Sequence, residues 1–473
     1  MRQSGLRAIA IASLFSFCLP APAGARQVVA ACAPATVEKP RILILSDIGN
    51  EPDDSQSFIR FLLYANQFDV EGLIATTSVW QRDKVQPALI RDQIAAYAQA
   101  LPNLRRHATG YPDPVELDSL IRSGSSAYGM AGVGEGRDTD ASRMIIAAAD
   151  RGDSRPLWIS VWGGATDLAQ ALWHVRATRS EAQVDAFIAK LRVYSISDQD
   201  DAGPWIRRNF PQLFWIASVH GWNEYSMAAW NGISGDLLRP LKWPYTDMVS
   251  DAWRATHIEG KGPMGRAYPK RSFIMEGDTP AFLYLISNGL SVPERPEWGG
   301  WGGRYTLSDL SARHFGDAVD EADFPDGSHF RSNQVSIFRW RDAFQRDFAG
   351  RIGWTLTPDY RQANHEPVLR VNGEGGLAPV TIIARPGETV MLDAKGSCDP
   401  DGQALHYRWW HYPEPSAVFG LKPLTITGQD SVRARITLPK GTQPITYHII
   451  LDTTDDGAMP LTRYRRILIE VKP

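Results

Sequence analysis

The hydrophobic period of this chain changes near residue 365, and no single sheet or helical bundle satisfies both periods. From residue 41 to about 350, short apolar runs alternate with stretches whose apolar residues recur every three or four positions. "RILILSD", "VEGLIATTS", "LWISVWG", "LRVYSIS" and "LFWIAS" read as strands. "DSQSFIRFLLYA" and "TDLAQALWHV" read as helices, the second opening at a Thr/Asp cap, and "RSFIMEGD" leads into the helix "TPAFLYLISNGL". Alternation at this pitch predicts an α/β domain, a mostly parallel sheet with helices on both faces. After "NHEPVLRVNG" come six period-two runs, from "PVTIIARPG" to "RYRRILIEV", separated by Gly, Pro and Asp turns. They predict a small all-β sandwich.

A chain of 473 residues exceeds what one core usually supports. The expected division is a leader over 1–25, a linker over 26–40, the α/β domain over 41–360 and the sandwich over 366–473. The leader is read from Arg2 and Arg7 ahead of the apolar stretch Ala8–Leu19, then Pro20, Pro22 and the small residues Ala23-Gly24-Ala25. It is too short to span a bilayer, and it predicts export to the periplasm or beyond the cell. Cys32 and Cys398 then remain, either paired across the two domains or as two free thiols. A net charge of −3 offers no attraction to nucleic acid or to an anionic membrane.

Within "LSDIGNEPDDSQSF" four acids (Asp47, Glu51, Asp53, Asp54) fall in eight residues just past a strand. Acids at a helix start are favoured by the helix dipole alone. Ligands of open α/β sheets, however, sit at the carboxyl ends of the strands, where Asp47 lies. A hard cation such as calcium needs several oxygens around a tight turn, which Gly49 and Pro52 supply. Asp278, read as a second strand-end acid, strengthens the cation reading.

"ILILSDIGNEPDDSQSFIRFLL" resembles the opening motif of the inosine–uridine-preferring nucleoside hydrolases, with Asp47, Gly49, Asp53 and Asp54 on the motif's acids and glycine and two residues inserted. "ISVWGGATDLAQAL" and "IMEGDTPAFLYLI" resemble two later segments of that family in the same order. "SDIGNEPDDSQS", "EGDTPAFLYLISNGL" and "WGGWGGR" are similar to a divergent branch of exported bacterial proteins, some described as cellulose-binding, with a C-terminal immunoglobulin-like β-domain. The resemblance implies calcium as cofactor, held by Asp47, Asp53, Asp54, Asp278 and the Thr166 carbonyl. It also implies hydrolysis of a glycosidic bond by a water that Asp47 deprotonates, with inversion.

The sequence departs from the family at Gly277, where many nucleoside hydrolases carry a histidine. An acid for the leaving group then has to come from Glu276, Glu51 or His220. Candidate sugar contacts are Asn50, Glu51, Asp198, Asp200 and Asp201 in "SDQDDAGPW", and His220, Trp222 and Asn223 in "VHGWNEYS". In "EWGGWGGRY", Trp298, Trp301 and Arg304 stand among four glycines and suggest a stacking platform. The alternative is a Gly-rich turn whose indoles belong to the core. Trp409-Trp410 on one strand must face opposite ways, one to the core and the other toward solvent. Asp399-Pro400-Asp401-Gly402 offers calcium ligands, although turn chemistry suffices to explain it.

The reading is an exported calcium-dependent glycosidase acting on plant or microbial carbohydrate. A true nucleoside hydrolase and a non-catalytic polysaccharide-binding protein are the alternatives. Expected partners are an oligosaccharide, glycoside or nucleoside, with no nucleic acid polymer and no membrane span.

Overall fold

The computed structural model describes residues 32–472 apart from 36, 221–223, 240, 419 and 442. The expected leader, part of the linker before β1, and the candidates Trp222 and Asn223 lie outside the described residues. Eight strands form the main sheet: β1 (Arg41–Ser46), β2 (Asp69–Ala75), β3 (Ile121–Ser123), β4 (Leu157–Val161), β5 (Leu191–Ser195), β6 (Phe214–Ala217), β7 (Tyr305–Leu307) and β8 (His314–Asp317). Their order is β3-β2-β1-β4-β5-β6-β8-β7, parallel throughout except for the edge strand β7. Alternate residues of β1 feed two separate cores. Ile42 and Ile44 enter one, Leu43 and Leu45 the other, because successive side chains on a strand point to opposite faces. β1 lies between β2 and β4, with Leu45 opposite Ile74 and Val161. The turns after β1, β2 and β4 therefore meet at one edge of the sheet.

Asp278 does not end a strand: residues 272–276 run as bends and 277–278 as a turn, and the helix after them spans only Thr279–Leu283. The helix stops early because the chain is captured by the second domain, where the Tyr464 amide donates to the Asn288 carbonyl at 3.0 Å. At Gly289 (φ 85°) a Cβ would collide with the Tyr464 carbonyl. The helix Thr166–Thr178 begins as expected, but Thr166 is its first helical residue rather than its cap.

β9 (Asp320–Asp323) and β10 (His329–Ser332) form a hairpin at the end of the α/β region. The C-terminal region forms two sheets. One contains β11 (Val380–Ala384), β17 (Thr462–Val471), β16 (Ile445–Asp455) and β13 (Leu405–His411) in that order. The other contains β12 (Thr389–Asp393), β15 (Arg433–Thr437) and β14 (Ile426–Thr427). Leu392, Trp409, Ile436, Ile449 and Ile467 fill the space between them. The opposite face of the four-stranded sheet packs on the α/β domain through Tyr412, Ile450 and Tyr464. Trp410 accordingly does not project into solvent: it is half-buried, 5.8 Å from the Trp340 ring and beneath the Arg339 guanidinium. Cys32 and Cys398 are joined in a disulfide that ties the segment before β1 to the sandwich.

Candidate functional site

The turn after β1 carries Asp47, and the helix that follows, Pro52–Leu63, begins with Pro52 in its first turn and Asp53 and Asp54 directly behind it. Asp53, Asp54 and Asp278 each offer an oxygen within 4.8 Å of the others. Together with Asp47, Asn50 and Glu51 they line a cavity of about 400 Å³ at the edge where the strand ends meet. Asp47 and Asp54 are each fixed by a serine: Ser78 Oγ donates to Asp47 Oδ2, and Ser46 Oγ donates to Asp54 Oδ1. Asp278 Oδ2 is buried and has no hydrogen-bond partner.

Burial dominates the electrostatics. It pushes the Asp47 carboxyl up to about 6 against the opposing Ser78 hydrogen bond, and with the Glu51 and Asp47 charges it pushes Asp53 to about 8. Asp54 is raised well above the ordinary carboxylate range by burial and by the Asp47 and Asp53 charges, and Asp278 by burial and by the Asp54 and Asp53 charges. Carboxylates crowded in this way need either protons or a cation. An all-oxygen donor set with one unpaired buried oxygen fits a hard divalent ion such as calcium.

Two glycines make the arrangement possible. A Cβ at Gly163, just past β4, would stand 2.8 Å from Asp47 Cβ and Oδ1. A Cβ at Gly277 would stand 2.9 Å from Asp53 Oδ2 and 3.3 Å from the Trp230 ring.

Several expected site residues are held elsewhere. Glu276 is fully buried, ion-paired with Arg60 at 2.7 Å and accepting from the Tyr268 hydroxyl at 2.7 Å, and it does not line the cavity. His220 pairs with Asp317, which also holds Ser218, the Ala229 amide and Asn333. Asp198 is clamped by Arg207, Asp201 accepts the Met130 amide, and Asp200 accepts from Thr166 and from the Ala202 amide. These acids are consumed in fixing loops. Thr166 is buried at its helix start and is not among the residues lining the cavity.

The Trp298–Arg304 loop is a domain seam rather than a platform. Trp301 is 0% exposed with its Nε1 donating to the Tyr464 hydroxyl, Trp298 is buried with its carbonyl accepting from Arg466, and Arg304 is paired with the buried Asp320. Gly302 lets the loop lie against the backbone of Pro280 and Tyr284, while the sandwich meets the loop through the Tyr412, Tyr464 and Arg466 side chains.

The cavity's aromatic wall comes from residues the sequence did not single out. Trp80, Tyr225 and Trp230 follow one another edge-on, with centroids 6.2 and 5.5 Å apart. Trp80 and Phe273, 44% and 59% exposed, also line the cavity. Trp230 Nε1 and Asn231 Oδ1 are buried and unpartnered. "TTSVW" directly after β2 was the available signal for Trp80, since it too sits at a strand's carboxyl end.

Residues 41–305 match the family model described as cellulose-binding Sde182, nucleoside hydrolase-like domain, and residues 389–471 match that of the cellulose-binding protein Sde0182 C-terminal domain. The chain belongs to the Sde182 family. A solved structure, of a nucleoside hydrolase-related hypothetical protein from Saccharophagus degradans associated with carbohydrate metabolism, is 38% identical. The match covers 92% of this chain and 100% of that one, with a TM-score of 0.78. The type III effector XopQ, solved with adenosine diphosphate ribose, is 12% identical over 70% of this chain and 96% of that one, at a TM-score of 0.31. Among curated proteins none matches. Family membership carries the nucleoside-hydrolase-like fold, and among the described residues no helix is long and apolar enough to cross a membrane.

Proposed function

We propose that this chain is a secreted, calcium-dependent glycoside hydrolase that acts with inversion on plant or microbial carbohydrate. The observation carrying the reading is the gathering of four buried carboxylates on an aromatic-walled cavity of sugar-ring size. Asp53, Asp54 and Asp278 would hold the calcium. When bound, it supplies Lewis acidity toward sugar hydroxyls and water.

The chain's own groups supply the rest. Asp47, raised only to about 6, is ionised near neutral pH, and Ser78 fixes its Oδ2. Its Oδ1 takes one proton from water as the water oxygen bonds to the anomeric carbon. The bond to the leaving oxygen breaks with its electron pair, and that oxygen takes a proton. Glu51 is the suited donor, because it lines the cavity and burial raises its carboxyl. Trp80, Tyr225 and Trp230 offer faces and edges to the sugar.

The family description favours a second reading, a protein that binds polysaccharide without cleaving it. Asp47→Asn separates the two. On a panel of glycosides, nucleosides and cell-wall polysaccharides, the hydrolase loses at least about a hundredfold in rate while still binding sugar. Polysaccharide binding equal in both proteins, with no turnover by wild type, makes the binding protein the correct reading. Cleavage of nucleosides alone makes it a nucleoside hydrolase.

A further inference from the structure

A second set of oxygen donors lies where residues 364–366 meet the sandwich. In the turn Asp399-Pro400-Asp401-Gly402, Asp399 Oδ1 accepts the amides of Asp401 at 2.8 Å and Gln403 at 3.1 Å. This is ordinary Asx-turn chemistry. It accounts for one oxygen and leaves the other: Asp399 is 8% exposed, and its Oδ2 is buried without a partner. Two amide oxygens, Asn364 Oδ1 and Gln403 Oε1, are in the same condition. Burying such groups unpaired is costly, so three of them on neighbouring residues call for a ligand.

The cluster is tightly built. Asn364 cannot turn its amide over, because Nδ2 donates to Asp455 Oδ1 and to the Met459 carbonyl, each at 2.9 Å. The Asn364 and Gln403 amides close over Gly457, where a Cβ would collide with both. Asp455 is held from behind by the amides of Gly457 at 3.0 Å and Leu461 at 3.1 Å. Burial raises the carboxyls of Asp399 and Asp455, and the Asp401 charge raises both further. His365 is turned toward Asp401 and His107, and among the described residues no lysine or arginine pairs with Asp399 or Asp455. The unpaired atoms are carboxylate and amide oxygens, which suit a hard cation and not a soft one.

We propose that Asp399 Oδ2, Gln403 Oε1 and Asn364 Oδ1, with Asp455 and water beside them, bind calcium at a site separate from the cavity acids. The ion fastens the chain leaving the α/β domain to the first turns of the sandwich, next to the Cys32–Cys398 disulfide.

The test titrates calcium chloride into chelator-stripped full-length protein carrying Asp278→Ala, in which the cavity cluster has lost an acid. About one calcium per chain should still bind, with a dissociation constant on the order of 10⁻⁴–10⁻³ M, as in extracellular modules. Adding Asp399→Ala should abolish that binding, Gln403→Ala should weaken it at least about tenfold, and magnesium should bind more weakly than calcium because it demands a tighter octahedron. If Asp399→Ala fails to fold, Gln403→Ala, at a half-buried turn residue, decides. Calcium uptake unchanged by both substitutions, or absent from a folded Asp278→Ala protein, overturns the proposal. Failure of the cavity reading shows differently, as equal uptake by wild type and Asp278→Ala.

Discussion

Replacing Asp53 by Asn should make the chelator-stripped protein more stable while removing the cavity's share of its response to calcium. Three carboxylates whose oxygens lie within 4.8 Å of one another interact, at an effective dielectric constant of 20, by at least about 3.5 kcal/mol per pair. Three such pairs rival the whole stability of a domain, about 5–15 kcal/mol. Without a cation the folded cluster must therefore keep protons. For Asp53 the ordinary value is 3.8 and the folded value about 8. Below the lower value both states are protonated and the group is neutral to stability. Between the two values the unfolded chain ionises while the folded one holds its proton, so stability falls as pH rises, by about 1.4 kcal/mol per pH unit. Asp53→Asn removes that slope, a gain of a few kcal/mol for the variant at neutral pH.

Urea unfolding at several pH values, in chelator and in calcium, reads all three quantities. In calcium the gap narrows, because a ligand at a hundred times its dissociation constant contributes about 2.7 kcal/mol to wild type. A variant less stable than wild type in chelator at pH 7, or a wild type that calcium does not stabilise, refutes the reasoning.

The buried and exposed tryptophans should part company. Trp301→Ala should cost about 3–5 kcal/mol in unfolding experiments through the void left at the domain seam. Trp80→Ala should leave the unfolding midpoint nearly unchanged and weaken sugar binding in calorimetric titration; sugar binding unaffected by Trp80→Ala would remove the aromatic wall from the site. Reducing the Cys32–Cys398 disulfide, or replacing both cysteines with serine, should lower stability by about 2–4 kcal/mol in urea titrations. Coincident unfolding curves with and without reductant would show that the crosslink constrains nothing.

The sequence by itself determined the plan of an α/β domain followed by a β-sandwich, and the acidic turn of the candidate site. The period of apolar residues is a local property that backbone geometry enforces, so β1, its helix and six sandwich strands were legible one by one, while the two-residue β14 was too short to show a period. Asp53 and Asp54 were legible because a strand, a tight turn and a helix start place them without help from the rest of the chain. Asp278 was reached through a resemblance, and its segment proved to be bends rather than a strand.

What only the tertiary structure decided is which polar and aromatic side chains face the cavity. Glu276 and Asp278 are two residues apart, yet one turns to Arg60 and the other to Asp53 and Asp54. Asp198, Asp200 and Asp201 looked like free acids until distant residues, among them Thr166 and Met130, came to meet them. Trp298 and Trp301 sit in a glycine loop shaped for close approach, but the surface that approaches is Tyr464 and Arg466, more than 160 residues further on. A side chain's partner is fixed by packing between elements far apart in the chain, and that information is absent from any local window of sequence.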